Sequence, residues 1–533
     1  MALSGGPRDE DPPQIDEEAS IANYQTRFEK QDINLYFDEF VDLKDAAKQI
    51  VISPPLEFPP RIGSRLKKVF ISFNESEVLK EDVTYVINFG KSIRDFTESN
   101  ELLNYTYVFS TGDYIDSLSV TGSVQDAKTG APSEDALVLL YTDDRDSIVY
   151  QERPYYFART DKEGNYRINN LRSDTFKVMV LKDENLNYLY DPGQEDIGFR
   201  DSLLFLSDTL TSDIDLALFR EETEPRYKGY DVINQGRARI DFEGATDSSA
   251  IRVIDSIDHI VVHNGDDEYL TLWYHPRGAR SIRYEVTRQG EVDTITMRIN
   301  TRNVDTLPNE IELLSFDFDS KIGLHPDLNL SLPFDRPIRE ISLDKIIMID
   351  TLDRDTLDLV IDDTQFPSLK AVISCDWPQE RDLQLTLLPG AIVDFFGRSH
   401  DTLDQLVRIA QPEDFGQYIL TPSTSDTLDY VISLLREKKK ISQVIFSGGD
   451  PEGQQNIVFD RLEPGDYKLE IIVDIVPNGK WDPGEYLAKR QSEVVYNVPL
   501  PSLRPNWKEE KDINMQELSL NQPSPQVDLE EEN

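Results

Sequence analysis

The sequence predicts an all-β chain of about five tandem antiparallel β-sandwiches, and three observations predict it. First, one segment occurs twice: residues 171–193 read LRSDTFKVMVLKDENLNYLYDPG and residues 462–484 read LEPGDYKLEIIVDIVPNGKWDPG. At one constant offset Leu171 meets Leu462, Phe176 meets Tyr467, Lys177 meets Lys468, Asp183 meets Asp474 and Asn187 meets Asn478. Asp191-Pro192-Gly193 then meets Asp482-Pro483-Gly484. A shared spacing over this length marks one structural module used twice. Second, short stretches rich in β-branched and aromatic residues alternate with period two between Asp, Asn, Gly and Pro turns. Third, 533 residues suffice for roughly three to five domains of about 100–150 residues.

The strands follow in order. Ile33-Asn34-Leu35-Tyr36-Phe37 alternates and then turns fully apolar, and 69–73, 83–89 and 105–109 behave alike. Residues 270–274, 282–287 and 294–299 show period two, and such regular short strands imply sandwiches. A short helix is expected near 43–48, capped by Asp42. Residues 428–440 fit an amphipathic helix, but Ile441-Ser442-Gln443-Val444-Ile445-Phe446 behind them reads as strand. A hairpin is therefore expected: strand 430–435, a charged turn at 436–440, strand 441–446.

Boundaries fall between these strands. Residues 1–12 form a flexible leader, followed by sandwiches over 13–115, 116–222, 226–318, 319–412 and 413–515, and a disordered acidic tail over 516–533. The repeat extends weakly beyond its core. Tyr85–Gly90 followed by Asp95 resembles Leu385–Gly390 followed by Asp394 and Gly397, so 319–412 reads as a second copy of 13–115.

Acidic residues number 100 against 55 basic, a formal charge of −45. Such a surface repels phosphates and argues against nucleic acid as a partner. It serves solubility or attracts cations. The single cysteine, Cys375, forms no intramolecular disulfide, and its strand-like setting marks a structural thiol rather than a nucleophile. No apolar run approaches the roughly 18 residues of a membrane-spanning helix, and no signal peptide is visible.

Three stretches carry a family resemblance. ISFNESEVLKEDVTYVINFGKSIRDFTESN (71–100), with Pro12-Pro13 at its entry and Tyr107-Val108-Phe109-Ser110-Thr111 at its exit, resembles the bacterial Ig-like fold of the SbsA type. Val120–Val124, Asp126–Pro132 and Thr160–Tyr166 resemble the prealbumin-like, carboxypeptidase-regulatory type of sandwich. With the leader SGGPRDEDPPQ, the combination is similar to Ig-like surface lipoproteins of Bacteroidota. That resemblance implies an outer-membrane lipoprotein exposed at the cell surface, with the periplasm as the alternative. Its partners would be envelope proteins, among them barrel proteins or their assembly or transport machinery. The lipidated cysteine would stand just before Ala2, where this sequence has Met1, read as a trimmed terminus. Residues 226–318 carry no such resemblance.

The duplicated acidic loops are the candidate sites. With Asp474 as position 1, Asn478 is position 5, Gly479 position 6, Lys480 position 7, Asp482 position 9 and Glu485 position 12. Calcium takes six to eight hard oxygens, and this is the spacing of an EF-hand loop, though Val476 leaves position 3 without an oxygen. In the first copy Asp183, Asn185, Asn187 and Asp191 fill positions 1, 3, 5 and 9, Gln194 stands at position 12, and Glu195 comes one residue late. The same residues equally suit a polar turn in which Asp and Asn accept backbone amides. His259 and His263, with Asp258, Asp266 and Asp267 nearby, suggest a transition-metal site or a plain strand edge.

No Gly-x-Ser-x-Gly, His-Glu-x-x-His or phosphate-cradling glycine loop occurs, so no catalytic residue and no enzyme is expected. Tyr155-Tyr156-Phe157 and Trp273-Tyr274 offer either glycan-stacking platforms or core packing. The expected function is a non-enzymatic scaffold or partner-binding subunit of an outer-membrane complex. The alternatives are a glycan-binding surface protein and a metal-dependent hydrolase.

Overall fold

The computed structural model describes residues 10–520 apart from 104, 208–211, 223–224, 245–247, 264–268, 276–279, 289–290, 300–305, 363–366 and 449–455. The leader before residue 10, the tail beyond 520, and Asp266 and Asp267 therefore lie outside the described residues. The chain divides into two compact units. One comprises residues up to Glu221 together with Trp481–Val495, the other Glu222–Lys480 together with Tyr496–Ser519.

The first unit holds two sandwiches. In the first, one sheet orders Ile15–Asp16, Ile33–Phe37, Lys68–Ser72 and Arg61–Arg65, and it faces Val51–Ser53, Thr84–Asn88 and Thr106–Ser110. Alternation sends Ile33, Leu35 and Phe37 inward with Ile71, Ile87 and Phe109. Val41–Leu43 pairs with Ile93–Asp95 at the side. The expected helix is shorter and later, Ala46–Gln49, and follows Asp45 in a left-handed conformation. Asp42 does not cap it, because that residue sits in the strand Val41–Leu43 and pairs with Arg94.

In the second sandwich, Leu118–Asp126 lies antiparallel to Asn165–Leu171 and parallel to Leu216–Leu218. Its other sheet places Leu137–Tyr141 between Tyr156–Arg159 and Asp174–Leu181. Leu137–Tyr141 is buried along its whole length, and alternate residues enter two different cores. Val138 and Leu140 join Val178 and Val180 inside the sandwich. Leu137, Leu139 and Tyr141 join Met179 and Leu181 on the outer face, under Tyr188, Tyr190 and Tyr486. A strand dry on both faces reads as the continuous apolar run LVLLY.

Tyr486 comes from Trp481–Val495 and is fully buried. Its hydroxyl donates to the Asp146 carbonyl at 3.1 Å and its amide to Glu221 Oε1 at 2.6 Å. Its ring meets Phe199 edge-on with centroids 5.4 Å apart, and Lys177 Nζ lies 5.3 Å from its centre. Lys489 pairs with Asp146, and Gln491 Nε2 donates to the Phe199 carbonyl at 3.0 Å.

The second unit holds three sandwiches. The third pairs Arg226–Asn234, Arg237–Glu243, Tyr269–Tyr274 and His259–His263 in one sheet and Ile251–Val253, Ser281–Arg288 and Glu291–Arg298 in the other. The fourth repeats the strand order of the first. One bent strand, Leu330–Ile341, pairs with both Ser368–Ser374 and Ile392–Asp394, doing the work of Ile33–Phe37 and Val41–Leu43 together. The weak sequence match holds locally: Asp95 and Asp394, both buried, accept backbone amides of the turns that follow them. Arg336, also buried, is held by Asp335 and by the carbonyls of Pro308 and Glu310. Cys375 is half-buried against this core, and burial pushes its thiol up.

The fifth sandwich repeats the second. Gly416–Ser423 is antiparallel to Ile457–Leu462 and parallel to Lys508–Asn514, while Asp429–Arg436 sits between Lys439–Ser447 and Lys468–Asp474. The hairpin expected there is observed, its turn set by Glu437 at φ 54. The tail expected to be disordered from 516 instead begins with the helix Met515–Leu520, because Asn514 Oδ1 caps the Gln516 amide at 3.1 Å and Met515 is buried.

Tyr486→Ala is expected to destabilise the first unit by about 3 kcal/mol, the range for deleting a buried aromatic. Leu487→Ala, beside it and 64 % exposed, is expected to change stability by under about 0.5 kcal/mol. Urea unfolding of the two variants checks this; equal effects would contradict the packing.

The duplicated carboxylate loops

Each repeat copy ends a strand and turns back through an acidic loop. In the first, Asp183 follows Asp174–Leu181 and is buried. Its Oδ1 accepts the Asn187 amide at 3.2 Å and its Oδ2 the Tyr188 amide at 3.0 Å. Asn185 Oδ1 takes the Asn187 amide and Asn187 Oδ1 the Leu189 amide. Both asparagine amides donate to Asp191 Oδ2, at 2.6 and 3.3 Å. Glu195 then closes the loop, its two oxygens accepting the Glu184 and Asp191 amides at 3.2 Å each. The four residues expected from sequence are thus brought together, and Glu195 joins them.

Four of these bonds recur in the second copy, where Val476 stands in place of Asn185. Asp474 is buried and accepts the Asn478 amide at 3.2 Å and the Gly479 amide at 2.9 Å. Asn478 Oδ1 accepts the Lys480 amide at 2.9 Å. Asp482 donates its amide to Glu493 Oε2 at 3.0 Å, as Asp191 does to Glu195. The left-handed backbone position common to both copies is Gly479 at φ 75 here and Tyr188 at φ 65 in the first, where Leu186 is left-handed as well.

Glu485 does not serve as expected. It is exposed, its amide bonds to the Arg490 carbonyl at 2.7 Å, and its carboxylate lies 3.7 Å from Arg490. An EF-hand count places a helix after position 12, whereas this chain turns back at once. The offset between the copies is 291 at Asp191 and Asp482 but 298 at Glu195 and Glu493, so the second copy carries seven extra residues. Tyr486 lies among them. The signal that finds Glu493 is its place two residues before the next strand: Glu195 precedes Ile197–Phe199 and Glu493 precedes Val495–Pro499 by the same step.

Burial, with Asp183 and Asp191 as negative neighbours, holds the Glu195 carboxyl above the usual range. Among the described residues no lysine or arginine pairs with Asp183, Asp191 or Glu195. The loop therefore gathers three carboxylates held chiefly by amide donors.

The other candidates stand apart. His259 and His263 share the strand His259–His263, but the Asp266 and Asp267 expected beside them lie outside the described residues. Tyr156, Phe157, Trp273 and Tyr274 are buried, and Tyr155 is half-buried under Arg172. Of the aromatics weighed as glycan platforms or core packing, Tyr156 and Tyr274 belong to the cores of their sandwiches and Phe157 to the outer core.

Residues 9–111 match the family described as bacterial Ig-like domain. No curated protein matches the chain. Among solved structures, the Bacillus anthracis TIE protein is 8 % identical over 96 % of this chain and 76 % of its own, with a TM-score of 0.15. The surface layer protein SbsC, domains 1-6, is 9 % identical over 92 % and 67 %, at 0.17. BcpA, the major pilin subunit of Bacillus cereus, is 10 % identical over 75 % and 99 %, at 0.15. At TM-scores this low none of the three bears on the function of this chain.

A carboxyl whose folded pKa is raised adds stability below its unfolded pKa and loses that contribution as pH rises through the folded value. Glu195→Gln lacks one amide acceptor at every pH but never becomes charged. In chelator, the melting advantage of the natural chain over this variant is expected to be largest at and below pH 4.5 and to shrink as pH rises from there. A constant gap would contradict the shift.

Proposed function

We propose that the chain is a non-enzymatic scaffold or partner-binding subunit at the bacterial cell surface. It is tethered to the outer membrane by an N-terminal lipid and works with a barrel protein or its assembly or transport machinery. The observation that carries this reading is the kind of surface the sandwiches present. Lys439–Ser447 and Glu291–Arg298 are edge strands among the described sheets. They show Ile441 and Ile445, and Val292, to solvent. Open edges with apolar side chains are sites where a partner adds a strand. The match of residues 9–111 to a bacterial Ig-like domain supports the setting.

A second element of the proposal concerns the loops. Asp183, Asp191 and Glu195 of the first copy are hard oxygen donors suited to calcium. Asp183 and Glu195 are buried, and the like charges around Glu195 favour neutralisation by a cation.

Gentle detergent purification from native membranes, with mass identification of what co-elutes, is expected to recover a barrel protein. Recovery as a lone soluble monomer would contradict the scaffold reading. For the loops, millimolar calcium is expected to raise the melting temperature over that in chelator. An ion at about 100 times its dissociation constant adds about 2.7 kcal/mol per site, so an unchanged melt would dismiss calcium.

A further inference from the structure

A cavity of about 590 Å³ opens in the first unit beside the helix Ala46–Gln49, the strand Val51–Ser53 and the stretch after the helix Ile148–Gln151. This is within the usual size range of small-ligand sites, about 300–1,000 Å³. Aliphatic side chains such as Ile50, Leu56 and Ile62 line it, and Pro59, Pro60 and Pro154 form much of the remaining wall. Proline carries no backbone N–H and holds its φ fixed. Such a wall is rigid and largely apolar, so it suits an alkyl chain.

Among the described residues one charged side chain lines the cavity, Arg153. Its guanidinium lies over the Tyr188 ring, 5.5 Å from the centre. In a chain with 100 acidic residues, no carboxylate among the described residues pairs with it. Its support is specific to the first repeat copy. Tyr188 occupies a left-handed backbone position where the second copy uses Gly479. A bulky residue is strained in that conformation. Tyr188 is kept in that conformation by Asp183, which accepts its amide, and by edge-on packing against Phe157 at 5.4 Å. What the tyrosine adds over glycine is a shelf for Arg153.

We infer that this cavity binds one acyl chain, with Arg153 holding a carboxylate head. A planar guanidinium grips a carboxylate through two parallel hydrogen bonds, and the apolar wall takes the hydrocarbon. This site stands independently of the scaffold reading.

Palmitate titrated into the purified full chain, followed by calorimetry and native mass spectrometry, is expected to bind once per chain. Arg153 is exposed, so Arg153→Glu is expected to keep the melting temperature and weaken palmitate binding about tenfold or more. A tenfold loss corresponds to about 1.4 kcal/mol. Leu56→Trp, which fills the cavity from a half-buried wall position, is expected to abolish binding. A cationic amine of the same chain length is expected to bind the natural chain more weakly than palmitate and Arg153→Glu more tightly. Absence of palmitate binding, equal binding of acid and amine, or an unaffected Arg153→Glu variant would each overturn the inference. A single-chain phospholipid that displaces palmitate at lower concentration would overturn the carboxylate assignment.

Discussion

A strand that must stay dry on both faces sets the terms for the first unit. Leu137–Tyr141 gives Val138 and Leu140 to the sandwich interior and Leu137, Leu139 and Tyr141 to a second core outside it. Burying each large apolar side chain contributes about 1.5–3 kcal/mol, so the outer face cannot be left to water. Two segments cover it. The acidic loop of the first copy supplies Tyr188 and Tyr190, and Trp481–Val495 supplies Tyr486. The acidic loop is thus both a carboxylate site and a lid over hydrocarbon, and its hydrogen bonds hold the tyrosines in place.

Duplication followed by local change accounts for the two loops. The amide-accepting roles of Asp183 and Asp474, and of Glu195 and Glu493, are the same. What differs is small. Tyr188 replaces the glycine type found at 479, and the second copy gains seven residues that include Tyr486. Gly484 is confined in that longer loop, since a Cβ there would sit 2.3 Å from the Phe219 ring and 2.7 Å from the Arg490 carbonyl.

Much of the fold was legible because period-two alternation is a direct image of a sheet with one wet face: Ile33–Phe37 shows it within five residues. Sites set by tertiary context were less so. Asp42 precedes the expected helix as a cap should, yet strand pairing with Ile93–Asp95 claims it. Glu485 has the right count from Asp474, but a count cannot register seven inserted residues, and Glu493 takes the part. The run LVLLY announces burial on both faces without naming what covers the second, because Tyr486 lies far along the chain. Of the aromatics at 155–157 and 273–274, Tyr156 and Tyr274 pack inside their sandwiches, whereas Phe157 faces the other way into the outer core.

Hydrogen exchange across Trp481–Val495 in the intact chain tests the account most directly. If these residues form part of the core with Leu137–Tyr141, the amides of Asp482, Tyr486 and Glu493, each bonded within the unit, will exchange slowly, near the rate of that strand. Exchange as fast as that of a solvent-exposed loop would contradict it.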